Sequence, residues 1–123
     1  MSYNIDRWKV KKLRNLRIPL TSFFKHERKD WHPKKKLEED GSLTLDGCFE
    51  EIVIHGTVEG GVLCVDRLKC VGEGSGTFCH WILDPALADS TGLLEVVRIW
   101  EGGDSIDRLT VKDGVLTNEE IDL

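Results

Sequence analysis

The clearest hydrophobic pattern in the chain is its last third, LLEVVRIWEGGDSIDRLTVKDGVLTNEEIDL from Leu93 to Leu123. Apolar and polar residues alternate there with the two-residue period of half-buried strands. Gly102-Gly103 and Asp113-Gly114 interrupt the alternation as two-residue loops that tolerate positive φ and match the twist of the strands they join. Counting outward from these turns sets Arg98 opposite Asp107, Val96 opposite Leu109, Leu94 opposite Val111, Val111 opposite Leu116, Arg108 opposite Glu119 and Ile106 opposite Ile121. One face then holds Leu94, Val96, Leu109, Val111 and Leu116, and the other Ile99, Ile106 and Ile121. A slip of one residue would exchange the faces and separate both charge pairs.

The same pattern extends backwards with regular punctuation. Runs at Ser42 to Leu45, Phe49 to Val58 and Val62 to Val71 are separated by Asp46-Gly47, Glu59-Gly60-Gly61 and the glycine-rich Gly72 to Gly76, the spacing of an all-β fold. A three-residue loop at Glu59 to Gly61 predicts Val58 opposite Val62, Ile52 opposite Leu68 and Glu51 opposite Lys69. Thr77 to Leu83 favours a strand by its β-branched and aromatic residues, with Asp84-Pro85 opening a helical turn to Ala88. A single helix over 77–88 is the alternative and would make the fold α+β. Arg7 to Lys11 predicts a first strand with Trp8 and Val10 inward. Its alternation fails at Lys12-Leu13, which leaves a helix using Trp8, Leu13 and Leu16 as competitor. Pro19 to His26 predicts a short helix with proline in its first turn, anchored by Phe23 and Phe24. The charged stretch Glu27 to Asp40 reads as a loop or an edge strand. The expected fold is mainly β, an antiparallel meander of about seven strands, rolled or barrel-like, with a short N-terminal helix.

Length makes one domain of the 123 residues, enough to bury a core without disulfides or metal. No segment reads as a secretory signal and no apolar run approaches the roughly 20 residues of a membrane helix. A cytoplasmic protein with no membrane partner is expected. Cys48, Cys64, Cys70 and Cys79 contain no Cys-x-x-Cys and read as reduced, half-buried thiols; Cys70 and Cys79 could lie opposite each other.

Charge adds a division that the net value of −5 conceals. Residues 1–37 carry twelve of the seventeen Lys and Arg and a local balance of +9, and the rest of the chain carries −14. An asymmetry of this kind concerns partners and steering rather than fold. The expected arrangement is a basic segment, 1–40, packed on or extending from an acidic β-domain, 41–123. Trp8 and Trp31 lie among Lys11, Lys12, Arg14 and Arg17, a mixture suited to stacking on bases beside phosphate contacts.

Candidate chemistry is sparse. Gly74, Ser75 and Gly76 could present backbone N–H groups to an anion, but no lysine follows and Glu73 opposes phosphate. Cys79 and His80 are sequence neighbours and point apart on a strand or a helix. His55, His80 and the cysteines lack zinc-ligand spacing, and no cofactor is implied. Glu101, Asp104 and Asp107 form an acidic tip that could hold a cation or act as acid and base. His80, Trp81, Trp100, Glu101 and Asp104 are the candidates for contacting a ligand or partner. The leading reading is a non-enzymatic binding domain with an interior pocket or an acidic protein-binding face, its partner a protein or small molecule. The alternatives are nucleic-acid binding through the basic segment, and a small enzyme built on His80 or the acidic tip.

Overall fold

The structure, a computed structural model, describes residues 5–24, 34–46, 50–72, 80–100 and 105–121. Its strands are β1 (Ile5–Pro19), β2 (Lys34–Leu37), β3 (Leu43–Asp46), β4 (Glu50–Glu59), β5 (Val62–Gly72), β6 (Thr91–Trp100), β7 (Ile106–Lys112) and β8 (Val115–Glu120). Among the described residues a 3-10 turn at Leu20–Phe24 follows β1, and one helix, α1 (His80–Leu87), lies between β5 and β6 in the chain. The fold is mainly β, as the alternation predicts. All eight strands form one antiparallel sheet in the order β2-β3-β4-β5-β1-β6-β7-β8. It is not a simple meander, because β1 is inserted between β5 and β6, and it is not a barrel, because β2 and β8 are its two ends. No helix of the described residues is long and apolar enough to cross a membrane.

The C-terminal register is the predicted one. Arg98 faces Asp107, Val96 faces Leu109 and Leu94 faces Val111 across β6 and β7, while Val111 faces Leu116 and Arg108 faces Glu119 across β7 and β8. Ile121 N–H donates to the Ile106 carbonyl at 2.8 Å and extends the same register. The tip at 101–104 lies outside the described residues.

The β4–β5 register differs from expectation. The loop has two residues, with Gly60 at φ 57° and Gly61 at φ 78°, the backbone of a tight hairpin turn. Glu59 therefore faces Val62 and Val58 faces Leu63. A bulge between His55 and Gly56 then shifts the pairing once more, so that Ile54 faces Leu68, Val53 faces Lys69 and Ile52 faces Cys70.

Bulges also explain why β1 resembles a helix in sequence. Register shifts fall between Val10 and Lys12 and between Arg14 and Arg17, the second marked by Asn15 at φ 48°. Each extra residue returns the next apolar side chain to the same face. Val10, Leu13 and Leu16, spaced by three, therefore all pack on the core. Opposite this second bulge Gly92, at φ 93°, brings its backbone so close to Asn15 that a Cβ there would sit 2.2 Å from the Asn15 carbonyl oxygen.

Residues 80–83 are helical, not extended, and Asp84 and Pro85 lie inside α1 rather than before a new turn. Leu83, Ala86 and Leu87 fall on one side at helical spacing and are almost wholly buried in the core. That burial outweighs the strand preference of the segment. The last turn tightens through N–H donation from Ala88, Asp89 and Ser90 to the carbonyls three residues back. The Ser22 hydroxyl donates to Asp89 Oδ2 at 2.8 Å and ties the 3-10 turn to this helix end. Pro19 closes β1 and precedes that turn, where Phe23 is buried but Phe24 is 55% exposed.

The core joins Leu16 and Ile18 of β1 to Leu43 and Leu45 of β3, Ile52 and Ile54 of β4, Leu63, Val65 and Leu68 of β5, Leu94 and Val96 of β6, Leu109 and Val111 of β7, and α1. The sheet thus has one core-facing side and one outer side.

Candidate functional site

The outer side is built by the parity of the strands that bury the core. In β1 the buried Leu16 and Ile18 leave Arg17 on the outer side, and the bulges leave Lys9, Lys12 and Arg14 there as well. Register follows: Lys9 faces Val97, which faces Arg108; Lys12 faces Glu95; Arg14 faces Leu93, which faces Lys112; and Arg17 faces Cys64 on its other flank. On β5, Arg67 faces His55 and Lys69 faces Val53, which faces Thr44 and then Lys36 of β2. Lys9, Lys12, Arg14, Arg17, Arg67, Lys69, Lys112 and Lys36 are all exposed. Acids on this side are Glu59, the half-buried Glu95 and Glu119, which pairs with Arg108 at 3.6 Å, together with Asp66, exposed in the β5 bulge beside Arg67, and the facing register positions Asp46 and Glu51. The basic strand is therefore built into the middle of the sheet, with its cations spread over the outer side. Leu93 and Val97, in register with Arg14 and Lys9, are half-buried.

Sequence alone identifies Lys12, Arg14 and Arg17, and the structure gathers them on this side. Lys11 is exposed in a bulge between paired neighbours. Trp8 stands in register with Arg98 of β6. Lys9, Arg67, Lys69, Arg108 and Lys112 belong to the face and are missed by a reading confined to the N-terminal segment. Only the insertion of β1 beside β5 and β6 assembles them. Of the other candidates, His80 and Trp81 open α1 and Trp100 ends β6. Glu101, Asp104, Gly74, Ser75, Gly76 and Trp31 lie outside the described residues, as do Cys48 and Cys79.

On the core-facing side a second polar cluster occupies the end of the β6–β7 ladder. Arg98 donates from Nε to Asp107 Oδ1 and from Nη1 to Asp84 Oδ2, both at 2.9 Å. Asn118 Nδ2 donates to Asp107 Oδ2 at 3.3 Å. Arg98 is 3% exposed and Asp107 8%, so the guanidinium is held between two carboxylates under the sheet. Burial raises the Asp84 pKa above the ordinary carboxylate value, against the opposing pull of the Arg98 charge and hydrogen bond. Burial acts to lower the Arg98 pKa, but the bonds to Asp107 and Asp84 outweigh it and hold the guanidinium charged. Asp84 is the member that sequence reasoning missed, because its partners lie on strands far along the chain. The cluster ties α1 to β6 and β7.

His55 is satisfied as a structural residue. Arg67 Nη2 lies 3.3 Å from His55 Nε2 and can only donate, so Nε2 accepts. Nδ1 then carries the proton toward Ser42 Oγ at 3.4 Å. The Ser42 backbone N–H donates to Asp40 Oδ1 at 2.9 Å, and this bond foremost holds the Asp40 pKa below its usual value.

Open depressions among the described residues include one of about 360 Å³ beside Ser105, Ile106, Asp107, Asn118 and Glu120, and one of about 480 Å³ over 36–40. Both are polar and lie at the surface, unlike the concave, mainly apolar sites that enclose small molecules. Among the described residues no group of His, Cys, Asp and Glu side chains is placed to hold a metal ion. Comparison with protein families, with curated proteins and with solved structures gave no match.

Proposed function

We propose that this protein is a non-enzymatic binding domain that holds the phosphate backbone of a nucleic acid on the outer side of its sheet. The observation that supports this reading is the position of β1. A strand carrying Lys9, Lys12, Arg14 and Arg17 lies at the centre of an open sheet, and β5 and β7 extend the cationic face on both flanks. Cations recur about 7 Å apart along a strand and about 10 Å apart across two strands. A rigid array of this kind suits a ligand whose own charges repeat. The arginines add planar donors that match phosphate oxygens. The aliphatic side chains between the cations are half-buried rather than protruding, which does not suit insertion among lipid chains.

The reading implies backbone contact without base readout, hence affinity nearly independent of sequence. The acids elsewhere oppose association at long range, but beyond about 10 Å their repulsion is largely screened at about 0.1 M salt. Titration of fluorescent single- and double-stranded oligonucleotides at several salt concentrations tests it. The expected result is binding to both, with log affinity falling linearly in log salt at a slope of about −0.9 per phosphate contact on duplex. No binding at low salt overturns it.

A further inference from the structure

We infer that the two ends of the sheet are complementary, so that β8 of one molecule pairs with β2 of a second copy and molecules associate head to tail. Eight strands with every neighbour antiparallel place β2 and β8 in opposite directions. A second copy added at the β8 end therefore continues the antiparallel alternation without turning over. The charges agree with that arrangement. β2 reads Lys-Lys-Lys-Leu and β8 ends Asn-Glu-Glu.

The faces fix the register. Glu119, opposite Arg108, is on the outer side, as is Lys36, opposite Thr44. Glu120 and Lys35 are on the core-facing side. Pairing Glu119 with Lys36 of the next copy sets Glu120 opposite its Lys35, and both contacts join opposite charges on the correct face. Of the alternatives, β2 with β2 sets lysine against lysine, while β8 with β8 at full overlap sets Glu119 and Glu120 against Thr117 and Leu116 and gains no ion pair. Lysine on an edge strand commonly guards against edge pairing. Here it blocks the symmetric contact and leaves the asymmetric one open, which builds chains or rings rather than a closed two-fold dimer.

Exposed apolar side chains mark the same two edges. Among the described residues the large exposed hydrophobics are Leu37 at 51%, Val115 at 67% and Phe24 at 55%. Leu37 is on β2, Val115 on β8, and Phe24 lies 5.0 Å beneath Lys35 Nζ of β2. The association does not depend on nucleic acid, so its test is separate from that of the outer side.

Sedimentation velocity of the full chain at low salt, over a rising concentration series, is the experiment. The sedimentation coefficient is expected to climb with concentration and to fall back when salt is added. The doubly substituted E119K/E120K and K35E/K36E proteins are each expected to stay monomeric, and an equimolar mixture of the two to associate again, because each reversed edge then meets its complement. Thermal unfolding of each variant checks the fold. If either pair fails to fold, the single substitutions E119K and K36E, which face each other in the proposed register, take their place. A wild-type protein that stays monomeric throughout the series, or folded variants whose mixture stays monomeric, overturns the inference.

Discussion

Arg98 on β6 donates from Nε to Asp107 Oδ1 on β7 at 2.9 Å, and does so on the core-facing side of the sheet, where Asp84 of α1 takes its Nη1. Removal of the guanidinium alone leaves two carboxylates without their counter-charge. Arg98→Met is expected to cost about 3–5 kcal/mol, measured by urea unfolding near neutral pH. Joint replacement of Arg98, Asp84 and Asp107 by apolar residues of similar size should restore most of that loss, since a buried ion cluster contributes little over well-packed aliphatics. A single substitution that leaves stability unchanged would show that the cluster is solvated and does not fasten α1.

The raised Asp84 pKa gives a pH dependence of definite sign. The folded chain holds this proton more tightly than the unfolded chain, whose value is near the ordinary 3.8. The contribution to stability is then fully present below 3.8 and is lost as pH rises through the folded value, which lies above it. Asp84→Asn should remove that dependence, so the difference between variant and wild type should grow as pH rises from 3.8 towards the folded value and level off beyond that value. Thermal unfolding of both proteins at a series of pH values measures it; parallel profiles would contradict the assignment.

Glycine positions separate close approach from backbone conformation. At Gly56 a Cβ would stand 2.1 Å from the Cys64 carbonyl oxygen, whereas at Gly60, with φ 57°, nothing lies within 4 Å. Gly60→Ala should cost about 1–2 kcal/mol, the ordinary left-handed penalty. Gly56→Ala has to push β4 off β5 and should cost on the order of 3 kcal/mol or more. Equal losses in denaturant unfolding would mean that the bulge at His55 and Gly56 relaxes freely.

Much of this fold is legible where contacts are local. The β6–β8 register follows from two short turns, and the pairing of Arg98 with Asp107 follows with it. The burial of that pair does not, because Asp84 reaches it from a helix whose sequence prefers extended structure and becomes helical only by packing Leu83, Ala86 and Leu87 on the sheet. The three-residue spacing of Val10, Leu13 and Leu16 is ambiguous for a physical reason: a strand with two bulges and a helix place them equally well on one face. The cationic side is legible only in part. Lys12, Arg14 and Arg17 stand out by composition, but the lysines and arginines of β5 and β7 join them through a strand insertion that no local pattern encodes.

Charge on the outer side can be removed without touching the core. Lys12→Gln and Arg14→Gln, both at exposed positions, should leave thermal stability within about 0.5 kcal/mol of wild type. Each should weaken oligonucleotide binding evenly across sequences and reduce the magnitude of the salt slope by about 1 where a phosphate contact is lost. Binding isotherms at three or more salt concentrations decide it. Unchanged slopes in both variants would move the contact elsewhere.

The most direct measurement is backbone amide chemical-shift mapping during titration with a short oligonucleotide of mixed sequence at low salt. Shifts are expected to concentrate on Lys9 to Arg17 and on the other outer-side positions Arg67, Lys69, Arg108 and Lys112, fading together as salt is raised. Shifts confined to the cluster around Arg98 or to the turn at 38–41, or a spectrum that does not respond, would contradict binding on the outer side.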